Sequence, residues 1–522
     1  MKRKTINKLL STVMVAAMSV GLLAGCGGSA STDTSATTPA ADNTAATTES
    51  SSTGDSTTTA DSGDKVTINV TRATFNLANS DTEQVKKVQD AVNEYIGDKI
   101  NVQVNLTDIG SGEYTDKANL ALANNEINLL WTASWESVIG TNDLVPQKAV
   151  YDLTDLIQGT DLYNSMDEGQ WEATKYDGKI YFIPVYKDNV EGYDIMARKD
   201  LVDKYGWDMS SIKSLKDIEP MLADAKSEGL KYPWLTQKTA MFYRFYINDF
   251  DFFTADVTAN WVAVDKSTNE VVDTIQTDQY KEFCTLMADW AEKGYISEDD
   301  VTKTTTDTTT QTQDWALSWW TDIPVNAEAN SRYGQEVEMA PITDRWAHST
   351  SALGSVWCVT ANSTEEQAKA CIDFMGLLYT DSKLADMWTF GIEGEDYSYD
   401  ENGQVVQNSD KYNHSMWESA SATIVTPVAG EPENKADLYK DFNGGAKTSP
   451  AAGFRFDKTP VEAQFAACQN VFETYGFPLE NGGFAAADVD ATIEAYQAAL
   501  DEAGYQDVLA EFQSQYDAWK AQ

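Results

Sequence analysis

Residues 65–76 read KVTINVTRATFN, and in them Val66, Ile68 and Val70 alternate with polar neighbours. A period of two is the pattern of a strand with one buried face. Downstream, Ser80 and Glu83 stand at capping-box spacing, and Val85, Val88, Val92, Tyr95 and Ile96 fall on one face of a helix behind them. INVQVNLTDI at 100–109 is a second strand, Tyr114 to Asn124 a second helix, and INLLWTASW at 127–135 a third strand. Strands alternating with helices point to an α/β fold, a parallel sheet wrapped by helices.

The same grammar recurs later in the chain. KIYFIPVYKDNVEGYDIMARKDLV at 179–202 leads into helices at Ser214–Ser227 and Thr277–Lys293. SALGSVWCVTANSTEEQAKACIDFMGLLYTD at 351–381 contains a helix whose capping box is Ser363 with Glu366. The chain closes on two helices broken at Gly504, the second carrying Val508, Phe512, Tyr516 and Trp519 on one side. No internal repeat is visible.

Upstream of the first strand the chain has a different character. Lys2, Arg3, Lys4 and Lys8 precede an apolar segment, Leu9 to Leu23, that is short for a membrane span but right for the core of a signal peptide. It ends Leu23-Ala24-Gly25-Cys26, which resembles the lipobox of bacterial lipoproteins. The resemblance implies a signal peptide over 1–25, removed to leave Cys26 as the acylated first residue on the outer face of the cell membrane. Residues 26–64 are Ser, Thr, Ala, Gly and Asp with few large apolar side chains, a composition that does not fold. As a flexible tether they would reach roughly 35 Å.

What is left, roughly 460 residues, exceeds what one hydrophobic core usually serves, so two lobes are expected. With 38 basic and 82 acidic residues the formal net charge is −44, which argues against nucleic acid and against anionic ligands. Apart from Cys26, the cysteines Cys284, Cys358, Cys371 and Cys468 lie in apolar surroundings with no Cys-x-x-Cys spacing, and read as buried and reduced. Only two histidines, His348 and His414, are present, so no zinc site and no cofactor are expected.

At this point a family resemblance emerges. DGKIYFIPV at 177–185, ARKDLVDKYGWD at 197–208 and YKEFCTLMADWAEKGYI at 280–296 resemble the family-1 extracellular solute-binding proteins of ABC importers. LLYTDSKLADMWTFGIEGEDYSYDENG at 377–403 and ALDEAGYQDVLAEFQSQYDAW at 499–519 resemble a lipoprotein subgroup with an extra carboxy-terminal domain of unassigned function. One departure is TEEQAKACIDF at 364–374, where relatives show a Pro-Glu-Arg-Ala phrase; it alters a helix start. The resemblance implies two α/β lobes joined by crossing strands, a ligand held between them, additional carboxy-terminal helices, permease subunits as partners and a monomeric receptor. The crossings are expected near Ile183–Val185 and Ala352–Thr360. Lobe one is then 65–185 with about 352–410, and lobe two 186–351 with about 411–522.

No motif demands chemistry. Glu393 and Glu395 could pair as an acid and a base, but a solvated loop explains them more simply. Ser398, Asp400, Asn402 and Gly403 hint at a calcium loop, yet Ser409 stands where its bidentate glutamate would be, and Asp400 to Gly403 reads as a hairpin turn. Binding is better supported. The chain holds 15 Trp, 24 Tyr and 18 Phe, and several sit beside carboxylates at the ends of expected strands. A neutral sugar offers a flat apolar face and a rim of hydroxyls, which calls for such aromatic platforms flanked by polar groups. The candidate ligand-binding residues are Trp131, Trp135, Tyr186, Asp188, Tyr243, Trp319, Trp320, Asp322, Trp357 and Phe456, with His348 and Trp417 as weaker candidates. Trp131 and the Trp319–Trp320 pair occupy places resembling those where maltose-binding proteins put stacking aromatics. An oligosaccharide is therefore the expected ligand, with a peptide or other organic solute as the alternative; a surface glycan hydrolase and an adhesin rank lower.

Overall fold

The computed structural model describes residues 65–75, 81–252, 259–302, 313–325, 330 and 334–522. The expected signal peptide, Cys26 and the expected tether lie outside the described residues.

The chain folds around two separate cores. The first surrounds a five-stranded sheet in which Val66–Thr74 is flanked by Val102–Gly110 and Leu129–Thr132, both parallel to it. Beyond Leu129–Thr132 come Val356–Val359 and then Phe182–Pro184, and here the pairing turns antiparallel. The expected all-parallel sheet is thus mixed. The reason is chain direction: Val356–Val359 returns from the other lobe and enters against the grain. Ile68, Val70, Val102 and Val104 are buried in this core, as the period-two pattern requires, while Leu129–Thr132 is buried on both faces.

The second core lies on one face of a four-stranded sheet, ordered Val337–Pro341, Tyr193–Arg198, Trp315–Thr321, Tyr232–Trp234. Tyr193–Arg198 runs antiparallel to both neighbours, and Trp315–Thr321 is parallel to Tyr232–Trp234. Its other face carries a small cluster of Met196, Tyr232, Leu235, Trp315 and Val337. The carboxy-terminal helices Val489–Glu502 and Tyr505–Lys520 join the second core through Tyr496, Leu500, Val508, Phe512 and Tyr516. Gly504, between them, sits at φ 92, a left-handed conformation that glycine reaches at little cost.

Both expected helix starts shift by one residue. Asp81 caps Thr82–Ile96, its carboxylate accepting from the backbone N–H groups of Glu83 and Gln84, while Ser80 lies outside the described residues. Thr364, with Gln367, forms the capping box of Glu365–Leu378 in place of Ser363 with Glu366. Tyr397–Tyr399 and Val405–Gln407 form the hairpin expected around Asp400–Gly403. Cys284, Cys358, Cys371 and Cys468 are buried and free.

The stretch after about 411 departs from the expected lobe assignment. Tyr412, Met416, Ala420, Ala422, Val425 and Tyr439 pack into the first core. A buried ionic group fixes them there: Asp108 pairs with Arg72 at 2.9 Å and with His414 Nε2 at 2.8 Å, and Arg72 also donates to Trp388 O at 2.8 Å. Burial alone would raise the Asp108 carboxyl, but Arg72 and His414 beside it hold it well below the usual carboxylate range. Only from Ala451 and Phe454 onward does the chain rejoin the second core.

Among the described residues, the passages Tyr186 to Tyr193, Ala340 to Leu353 and Tyr439 to Ala451 lead from one core to the other. Val185 N donates to Ser355 O at 3.1 Å, so the first two run side by side. Asn443 bonds across both ends of Lys187–Asn189, donating to Lys187 O at 2.7 Å and accepting from Asn189 N at 2.9 Å.

Candidate functional site

On the first lobe, the strands Val66–Thr74 and Leu129–Thr132 both end in aromatic residues, Phe75 and the Trp131–Trp135 turn. Phe75 lies 5.6 Å from Trp131, 5.8 Å from Trp135 and 4.9 Å from Trp417, measured between ring centroids. Trp131 is fully buried, donates from Nε1 to Ser355 Oγ at 2.9 Å, and forms the floor of the group. Trp135 is 42% exposed, unusual for an indole, and its Nε1 is tied to Gly354 O at 2.8 Å. The ring is consequently held in place while it remains open to solvent. That is the geometry of a stacking platform.

On the second lobe, the start of Tyr193–Arg198 and the end of Trp315–Thr321 meet a short helix, Phe242–Phe245. Tyr193 OH donates to Glu191 Oε1 at 2.7 Å, and its ring meets Tyr243 and Trp319 edge-on at 6.0 and 6.1 Å. The Arg244 guanidinium lies 3.9 Å over Trp319 and 4.4 Å over Tyr243. His348 Nδ1 is 2.9 Å from Glu191 Oε2. Burial pushes the Glu191 carboxyl up, but the bonds to His348 and Tyr193 outweigh it and hold the group below the usual range, so it stays an anionic acceptor. At Gly192, an added Cβ would sit 3.2 Å from Asp322 Cβ and 3.4 Å from Arg345 Cγ, so the backbone passes close beneath that pair.

One segment serves both groups. His348 belongs to the second; Leu353 O accepts from Ser134 N at 2.8 Å, and Gly354 and Ser355 hold the indoles of Trp135 and Trp131 in the first.

The ten expected binding residues divide accordingly. Trp135 and Tyr243 are accessible and lie in the two groups. Trp131 and Trp319 lie in them too but beneath the surface, Trp319 under Arg244. Trp320 faces the opposite side of its strand, against the small cluster of Met196 and Trp315. Tyr186 and Asp188 lie in the first passage, Tyr186 buried in the first core and Asp188 paired with Lys187. Asp322 is buried and anchors Arg345 through two contacts, the shorter 2.5 Å. Trp357 and Phe456 are core residues. Trp357 is fully buried and donates to Ser419 O at 3.3 Å, while Phe456 stacks on Phe512 with centroids 3.5 Å apart. Glu191, Tyr193, Arg244 and Phe75 were not singled out by sequence, although Glu191 sits inside the NVEGY stretch directly before a glycine.

A cavity of about 660 Å³ opens on the opposite face of the second sheet. Asp194, Met339 and Pro341 line it from that sheet, and Ala429, Gly430 and Pro432 from the segment packed on the first lobe. Burial, reinforced by the charge of Asp322, pushes the Asp194 carboxyl up to about 8.

Comparison with known proteins places this architecture. The model of the bacterial extracellular solute-binding protein family matches residues 90–393, more than half of the chain. The chain belongs to that family, and it is a solute-binding protein rather than an enzyme. A second model, described as a domain of unknown function (DUF3502), matches 450–521. A "Carbohydrate ABC transporter substrate-binding protein" of Streptococcus pneumoniae serotype 4 is 25% identical over 470 residues, 87% of this chain and 91% of the relative. Among solved structures, the N-glycan transport solute binding protein (NgtS) of Streptococcus pneumoniae superposes with a TM-score of 0.75 at 21% identity, covering 87% of this chain and 99% of its own. The S. pneumoniae ABC-transporter substrate binding protein FusA, in complex with kestose, superposes at 0.57 with 15% identity, covering 87% and 99%. These likenesses agree with the two-lobed fold and its carboxy-terminal helices. Among the described residues, no helix is long and apolar enough to cross a membrane.

Proposed function

We propose that this protein is the receptor of an ABC importer for a neutral oligosaccharide, held by a lipid on Cys26 at the outer face of the cell membrane. The observation that carries the ligand reading is Trp135: its indole packs edge-on against Phe75 and Trp131 and is fixed by a backbone carbonyl, yet much of the ring stays open, and a sugar face would bury it. The second wall complements it with Glu191 and the Tyr243 hydroxyl, acceptor and donor for a rim of hydroxyl groups. The relatives support the same class: NgtS has been solved in complex with Man1GlcNAc and with Man5GlcNAc, and FusA with kestose.

The mechanism follows from the passages. A ligand that touches only Trp135 leaves the lobes indifferent; one that also bonds Glu191 and Tyr243 favours their approach by rotation about the passages. The closed, loaded form is then what the permease recognises. Calorimetry with Man1GlcNAc, Man5GlcNAc, kestose and a set of short peptides tests the reading. Binding of at least one sugar and of no peptide is expected; the reverse selectivity overturns it. The anchor is tested separately: Cys26→Ser should release the protein from membranes on cell fractionation, and equal retention of variant and wild type overturns the lipid attachment.

A further inference from the structure

The carboxy-terminal segment 450–521, whose matching model carries no function, places a carboxylate behind the second wall. Glu480, at the end of the short helix Phe477–Glu480, is fully buried. Its Oε2 accepts from the backbone N–H of Met241 at 2.7 Å and of Phe242 at 3.0 Å, and its Oε1 accepts from Asn260 Nδ2 at 2.7 Å. The next residue, Asn481, donates to Thr239 O at 3.1 Å. Two consecutive side chains thus grip three backbone atoms of the loop that leads directly into Tyr243 and Arg244.

That loop needs holding. Gln237 and Lys238 both sit in the left-handed region, at φ 57 and φ 50, where a side chain crowds the backbone. Gln237 bonds to the wall itself, donating to Trp319 O at 2.8 Å. The first amides of a helix have no carbonyl of their own helix to bond, and Glu480 supplies the acceptor. A buried carboxyl is an expensive way to fill space, since an apolar side chain would pack there without a desolvation cost. Burial pushes the group up to about 7, with the two amides, Asn260 and Arg244 pulling the other way.

We propose that Glu480 is a positioning residue of the solute site: through it, the carboxy-terminal domain sets the loop that presents Tyr243 and Arg244 over Trp319. This rests on the reading of that wall as a ligand contact. The test uses the full chain with Glu480→Met, which keeps the volume but removes both acceptors, and Glu480→Gln, which keeps one. Hydrogen exchange in a peptide spanning 239–244 should speed up by about tenfold or more in Glu480→Met, with the first-lobe strand 102–110 unchanged. The Kd for Man5GlcNAc should rise by about fivefold or more, and Glu480→Gln should return both readouts to within about twofold of wild type. Unchanged exchange, equal damage from Met and Gln, or a Glu480→Met chain that does not fold overturns the proposal. A wild-type chain that ignores Man5GlcNAc counts against that sugar as ligand, and the exchange comparison still decides whether Glu480 sets the loop.

Discussion

The two walls are built on opposite plans. On the first lobe, Trp135 follows a strand end at once, rests on the buried ring of Trp131, and is bonded to Gly354 O; every support is backbone or core. On the second lobe, Tyr243 and Arg244 hang from a loop with two left-handed residues, and the polar contacts pass through side chains, Glu191 to His348 and Tyr193. The first wall is a platform that exists without ligand. The second is a charged surface whose arrangement depends on groups brought from elsewhere in the chain. Under the proposed function the asymmetry has a use: the first wall would capture a sugar face, and polar groups of the second would draw the lobes together on it.

The largest effect should come from a tryptophan in neither wall. Trp357→Ala empties a fully buried site and should cost about 3–5 kcal/mol of stability, seen as a lowered denaturant midpoint, with ligand affinity kept below the transition. Trp135→Ala should do the converse. Its half-open ring contributes little to folding, but a desolvated stacking aromatic is worth about 2–4 kcal/mol in binding, roughly 30- to 1,000-fold in Kd by calorimetry. A Trp135→Ala chain that melts early and binds normally would erase the distinction between platform and core.

Smaller effects sharpen the second wall. Glu191→Gln keeps the shape but removes the charge and leaves one acceptor oxygen where Tyr193 and His348 now meet two, and should weaken sugar binding by about 1–2 kcal/mol. Asp194, on the far face of the same sheet, should show in stability and leave affinity alone. Its native carboxyl keeps a proton up to about 8 whereas an unfolded aspartate loses it near pH 4, so the native state binds more protons across that window and stability falls as pH rises through it. Asp194→Asn should flatten this part of the Tm profile between about pH 4 and pH 8; an unchanged profile would show that the group is ionised in the fold. Smallest of all should be the response to salt. For a neutral ligand the Kd should move by less than about twofold up to about 0.5 M salt, and a steep loss of affinity would identify a cationic ligand.

How far the sequence was legible follows the same divide. Period-two stretches such as 66–70 and the helical stripe Val85–Val88–Val92 identify their elements because burial is decided within a few residues. Strand direction is not local: Val356–Val359 looks like any other strand, and only its arrival from the other lobe makes it antiparallel. The lobe of Tyr412 to Tyr439 is not local either, since what holds that stretch on the first core is a buried Asp108 about three hundred residues upstream. Trp131 and Trp135 carry identical chemistry in one short motif, and which of them opens to solvent depends on the turn after the strand. Trp319 and Trp320 do face opposite sides as adjacent strand residues must, but Trp319 packs into the second core and Trp320 lies half-buried against the small cluster on the other face. Glu191 and Arg244 escaped notice because their meaning is relational: each matters through the ring or imidazole that the fold places beside it.

The central claim is that one ligand bridges the two walls. A crystal structure of the protein grown with its best-binding oligosaccharide tests it most directly. The account predicts a sugar ring stacked on Trp135, with hydroxyl groups of the same molecule bonded to Glu191 or Tyr243. A sugar lodged instead in the cavity of Asp194, Met339 and Pro432, or one touching a single lobe, would contradict it.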